Sequence, residues 1–166
     1  RGQTIEYPKQ WGIERLFAKQ TLQYSIHGGE LRMIGEWEWN EPSAASTPIR
    51  FELPPGMKIR SLTINEREAT LQLDQNTVFV NGPSGGARQR MAAEFLIPWE
   101  QLIDPQSGIL QIPSIRNSNA AVLFGSTILQ DQPDGRFVEI TPERGRLESV
   151  RKTPEGAHRL EYSWYR

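Results

Sequence analysis

The 166-residue chain has no cysteine and only two histidines, His27 and His158. The missing thiols exclude disulfides, thiolate metal sites and cysteine nucleophiles together. With two distant histidines and no HExxH pattern, the common zinc-ligand sets are absent too, and no cofactor is expected. No run of about 18 apolar residues occurs, so no segment reads as a membrane-spanning helix. Charge of one sign is also lacking: the formal net charge is −1, which leaves no global field to draw the protein onto nucleic acid or anionic lipid. Helical periodicity is scarce. One candidate helix covers 7–20, where Ile13, Leu16, Phe17 and Gln20 fall at helical spacing around an interrupting Gly12.

What is present is period-two alternation. TLQYSIH at 21–27 places Leu22, Tyr24 and Ile26 on one face, and Gly28-Gly29 then reads as a tight turn. In ELRMIGEWEW, Leu31, Met33, Gly35, Trp37 and Trp39 share one face, and Arg32, Ile34, Glu36 and Glu38 the other. Further short runs follow at 49–53, 58–65, 69–73, 77–80, 91–98, 109–115, 120–129, 136–140, 146–152 and 158–165, separated by Gly, Pro, Asn and Asp clusters. The pattern predicts an all-β fold, an antiparallel β-sandwich of about ten short strands joined mainly by sequential hairpins. Residues 1–20 are expected to form an N-terminal arm or short helix, and 21–166 a single all-β domain. Gly35-x-Trp37 resembles the glycine-x-tryptophan of lipocalin-like barrels, which keeps a closed up-and-down β-barrel as the alternative fold.

Four places invite a functional reading. Trp37 and Trp39 on one strand face could form a flat platform for sugar rings, as in β-sandwich carbohydrate-binding modules, with Trp11 and Trp164 extending it. Their continuity with Leu31 and Met33 favours a core-facing edge instead. Glu36 and Glu38 lie about 7 Å apart along a strand, a spacing open to acid–base chemistry but more common on a solvated face. NGPSGGARQR, 81–90, reads as a loop in which Arg88 and Arg90 could contact a partner. Arg116, Asn117, Ser118 and Asn119 precede an apolar strand, either as a recognition loop or to satisfy backbone groups where the chain enters the sheet.

No nucleophile elbow and no acid–base pair in a recognisable arrangement occurs, so the chain is expected not to be an enzyme. Fifteen arginines against four lysines suit carboxylate pairing across an interface. The expectation is a non-enzymatic protein-interaction module with a protein partner, probed through Trp37, Trp39, Arg88, Arg90, Arg116, Asn117 and Asn119. The alternative is a carbohydrate or small-ligand binding domain using Trp37 and Trp39; neither nucleic acid nor membrane insertion is expected. A first residue Arg1 fits removal of an upstream segment, and with the missing cysteines favours an extracytoplasmic location.

Overall fold

A computed structural model describes residues 15–27, 29–40, 48–81, 88–107, 111–113, 115–117, 119–131 and 146–165. The chain runs through β1 (Arg15–His27), β2 (Glu30–Asn40), β3 (Ile49–Glu52), β4 (Lys58–Ile64), β5 (Arg67–Glu68), β6 (Leu71–Asp74), β7 (Thr77–Val80) and β8 (Arg88–Pro98). One turn of 3-10 helix, Trp99–Leu102, follows, and then β9 (Arg116–Asn117), β10 (Ala120–Gln130), β11 (Arg146–Lys152) and β12 (His158–Tyr165). They form an eight-stranded sheet, β11-β12-β10-β1-β2-β8-β4-β5, and a four-stranded sheet, β6-β7-β3-β9. Both sheets keep open edges, so the all-β sandwich holds and the barrel does not.

The alternation that marks β2 also builds the core. Leu31, Met33, Trp37 and Trp39 point to the second sheet and are almost fully buried, while Arg32, Ile34, Glu36 and Glu38 on the opposite face are only partly so. Trp37 meets Phe51 of β3 with ring centroids 5.0 Å apart, and Trp39 meets Phe17 edge-on at 5.5 Å. The indole N–H of Trp37 donates to Gln20 Oε1 at 2.8 Å, which satisfies a buried donor. Tyr24 is held similarly: its hydroxyl donates to the Pro113 carbonyl at 3.1 Å, and burial pushes its phenol pKa up.

Gly35-x-Trp37 has a packing cause. A Cβ on Gly35 would lie 2.1 Å from Cη2 of Trp37, so the ring rests where a side chain would stand. Gly125 of β10 makes the same room for Trp164, its neighbour across the β10–β12 ladder.

Three details depart from the sequence-based expectation. First, Arg15–Gln20 opens β1 and is not helical; residues 7–14 lie outside the described set. A register shift between Phe17 and Lys19 puts Phe17 and Gln20 on the same buried face three residues apart, and this bulge imitates a helical spacing. Second, β1 pairs in parallel with β10, Phe17 opposite Val122 and Tyr24 opposite Leu129. The chain crosses the second sheet before returning to the free side of β1, so this pairing needs no hairpin. Third, Gln111–Pro113, within the strand expected over 109–115, has no regular structure. The expected strand at 136–140 lies outside the described residues.

Turn chemistry is otherwise local. Gly56 takes φ 81° where the Met57 N–H closes back on the Pro54 carbonyl at 3.1 Å. Asn65 and Glu66 both take positive φ, 50° and 66°, which matches the twist of the β4–β5 hairpin. Asn65 tolerates that conformation because its side chain bridges to β8: Nδ2 donates to Gln89 Oε1 at 2.6 Å, and Oδ1 accepts the Arg90 N–H at 3.0 Å.

Candidate functional site

The charged residues gather on the face of the large sheet that turns away from the core. Register sets their order: Glu38 opposes Arg90 and Asn40 opposes Arg88 across β2–β8, so each arginine has a glutamate within one diagonal step. Arg88 pairs with Glu38, and Arg90 Nη2 donates to Glu36 at 3.0 Å. Further along, Glu94 accepts from Arg32 Nε at 2.6 Å and from Arg60 Nη1 at 3.3 Å. Arg88 and Arg90 are therefore strand residues of β8, not loop residues as the sequence suggested; 82–87 lie outside the described set.

Chemically this ladder is a neutralised surface. Glu36 and Glu38 do share a face, yet each has a guanidinium partner. The hydrogen bond from Arg88 holds the Glu38 carboxyl below the usual carboxylate range. A general acid needs the opposite shift, so Glu38 is unsuited to that role. A pocket of about 240 Å³ opens on the same face between Glu30, Lys58, Ile59, Arg60, Leu96 and Pro98. Glu30 is its single carboxylate, so no pair of carboxylates lines it.

The ladder gives a pH prediction. A carboxylate with depressed folded pKa stabilises the fold above its unfolded pKa and loses that contribution as pH falls through the folded value. Arg88→Ala is thus expected to be less stable than wild type at pH 7, by up to about 1 kcal/mol for so exposed a pair. The gap should close on acidification below about pH 4. Urea denaturation of both proteins at neutral and acidic pH measures it; a gap that does not change with pH removes Glu38 as its source.

The remaining candidates separate. Trp37 and Trp39 are 0% and 1% exposed, so no ring is available as a sugar platform. Trp164 lies on the core-facing side of β12, half-buried, and Trp11 is outside the described residues. Arg116 and Asn117 form β9, opposite Glu52 and Phe51 of β3. Asn119 is buried; its Nδ2 donates to the Pro48 carbonyl at 2.8 Å and its Oδ1 accepts the Arg50 N–H at 3.1 Å. It binds backbone where β10 begins. Ser118 lies outside the described residues.

One pairing escaped the sequence reading. Asp131, its side chain 5% exposed, accepts from the His158 N–H and lies 3.0 Å from His158 Nδ1. The two are 27 positions apart, and Asp131 reads in sequence only as a turn former. The contact ties the end of β10 to the start of β12, assisted by the Asp131 N–H on the His158 carbonyl at 3.1 Å.

No protein-family model matches this chain, and no curated protein sequence is significantly similar to it. Solved structures share its fold. An M1 zinc metallopeptidase from Deinococcus radiodurans, bound to a Tyr-Ser-Ala substrate, superposes with a TM-score of 0.59 at 12% identity over 89% of this chain. Leukotriene A4 hydrolase from Saccharomyces cerevisiae gives 0.55 at 10% over 98%, and aminopeptidase A from Legionella pneumophila gives 0.59 at 9% over 91%. This chain spans only 38%, 29% and 20% of those three chains. The shared architecture is thus a portion of peptidase polypeptides. That finding corrects the expectation of a non-enzymatic interaction module, and with it the glycan-binding alternative.

Proposed function

We propose that this chain serves as the β-sandwich portion of a zinc-dependent peptidase of the M1 type, and that it does not carry the metal site. The fold shared over 89–98% of the chain with M1 peptidases and leukotriene A4 hydrolase is the observation that supports this reading. Zinc itself does not fit here. Among the described residues no group of three or more His, Cys, Asp or Glu could hold a metal, and the sequence offers two histidines and no cysteine. His158 already turns Nδ1 to Asp131. Metal and nucleophile would come from another part of the enzyme, and the sandwich would supply a rigid wall beside it.

The test compares residues 1–166 with the polypeptide encoded by the complete reading frame around them. The longer protein is expected to contain stoichiometric zinc and to release amino-terminal residues from aminoacyl-anilide substrates, with activity lost to chelator. The 166-residue chain is expected to do neither. Zinc-dependent hydrolysis by the short chain, or none by the complete protein, would overturn the proposal.

A further inference from the structure

We infer that β6 is a self-complementary edge through which two copies of this chain join their small sheets. Four strands end the two sheets among the described residues, and three are defended in ways that keep strand edges from pairing. β5 and β9 are two residues long. β11 is broken by a register shift between Leu147 and Ser149 and carries Arg146, Glu148, Arg151 and Lys152. β6, with sequence LQLD, is four residues long, pairs with β7 without a register shift and carries a single charge, Asp74, at its turn end. Its leucines are exposed instead, Leu71 by 39% and Leu73 by 63%.

Main-chain parity makes the edge usable. Asp74 faces Thr77 across a two-residue turn, and the Asn81 N–H donates to the Thr70 carbonyl. Antiparallel ladders alternate bonded and non-bonded pairs, so Thr70, Gln72 and Asp74 spend their backbone groups on the β7 side. Leu71 and Leu73 are left pointing N–H and C=O outward.

The side chains agree with that register. Leu71 and Leu73 oppose the buried Val80 and Val78, so they extend the apolar face of the small sheet beyond its cover. A two-fold axis through Gln72 would set Leu71 of one copy against Leu73 of the other, twice. Each such pair can exchange both backbone bonds, and four leucines then cluster on one face. Asp74 would face Thr70 rather than a second Asp74, so no like charges meet. A second copy in this register satisfies the main chain, the apolar face and the charge together.

Sedimentation velocity on the protein, taken from low to high micromolar concentration, tests this. A reversible monomer–dimer equilibrium is expected, with modest affinity for so small an interface. Leu73→Lys acts twice in a symmetric contact and should weaken association at least about tenfold while leaving the circular dichroism spectrum intact. Val150→Lys, at another exposed apolar position on β11, should leave association unchanged. A protein that remains monomeric throughout overturns the inference. So does association that survives Leu73→Lys or is lost in Val150→Lys.

Discussion

Trp37→Ala is expected to lower the free energy of unfolding by about 3–5 kcal/mol, a large fraction of what a domain of this size possesses. The ring is 0% exposed, packs on Phe51 at 5.0 Å and lies across Gly35. Its removal leaves a cavity in the middle of β2, where the rigid ladders to β1 and β8 on either side limit collapse. Trp37→Phe keeps part of the volume but withdraws the donor from Gln20, so a loss of about 1–3 kcal/mol is expected. A surface change such as Val150→Thr, where the side chain is 60% exposed, should stay within about 0.5 kcal/mol. Urea denaturation followed by far-ultraviolet circular dichroism orders the three without relying on tryptophan emission. If Trp37→Ala lost under about 1 kcal/mol, the ring would not be a core member and the packing of the two sheets would need redrawing.

That prediction rests on the part of the fold most legible in sequence. Strict alternation from Leu31 to Trp39 identifies the strand and its buried face because a one-residue slip would turn every apolar side chain to water. The short turn at Gly56 is marked in the same way by a residue that tolerates positive φ, and the turn at Asn65–Glu66 only to within a residue, since Asn65 reads as the end of the 58–65 run. Three features were not legible. The bulge at Phe17–Lys19 changes the buried parity within β1, and a local pattern cannot distinguish it from a helical stripe. The parallel β1–β10 pair depends on two segments about a hundred residues apart, which neither strand announces. Arg88 and Arg90 follow a glycine-rich stretch, so composition placed them in a loop although pairing with β2 extends the strand to include them.

Function was less legible still. The charged ladder reads in sequence as isolated arginines and glutamates because its partners come from β2, β4 and β8. The likeness to peptidase chains rests on superposition of the fold, at identities of 9–12%, and has no local motif in this chain that its sequence displays. The absence of chemistry-bearing residues had favoured a binding module. The reading proposed above accounts for the same absence by placing the reacting groups in another part of the polypeptide.

Gly35→Ala is expected to destabilise the protein by about 2–3 kcal/mol, whereas Gly125→Ala should cost about 1 kcal/mol or less. Both substitutions place a methyl about 2.1 Å from an indole atom, so distance alone would rank them equal. Surroundings decide between them. Trp37 is enclosed, and displacing it would break the 2.8 Å bond to Gln20 and disturb Phe51. Trp164 is only half-buried near the end of β12, so its ring can swing toward solvent and admit the methyl. Alanine also restricts the unfolded chain more than glycine, by about 0.4–1 kcal/mol, and this offsets part of the strain at both sites. A double-mutant cycle isolates the steric cause: once Trp37→Leu has removed the indole, Gly35→Ala should become nearly neutral. Additive losses in that cycle would place the demand for glycine in the backbone of β2 rather than in the ring that covers it.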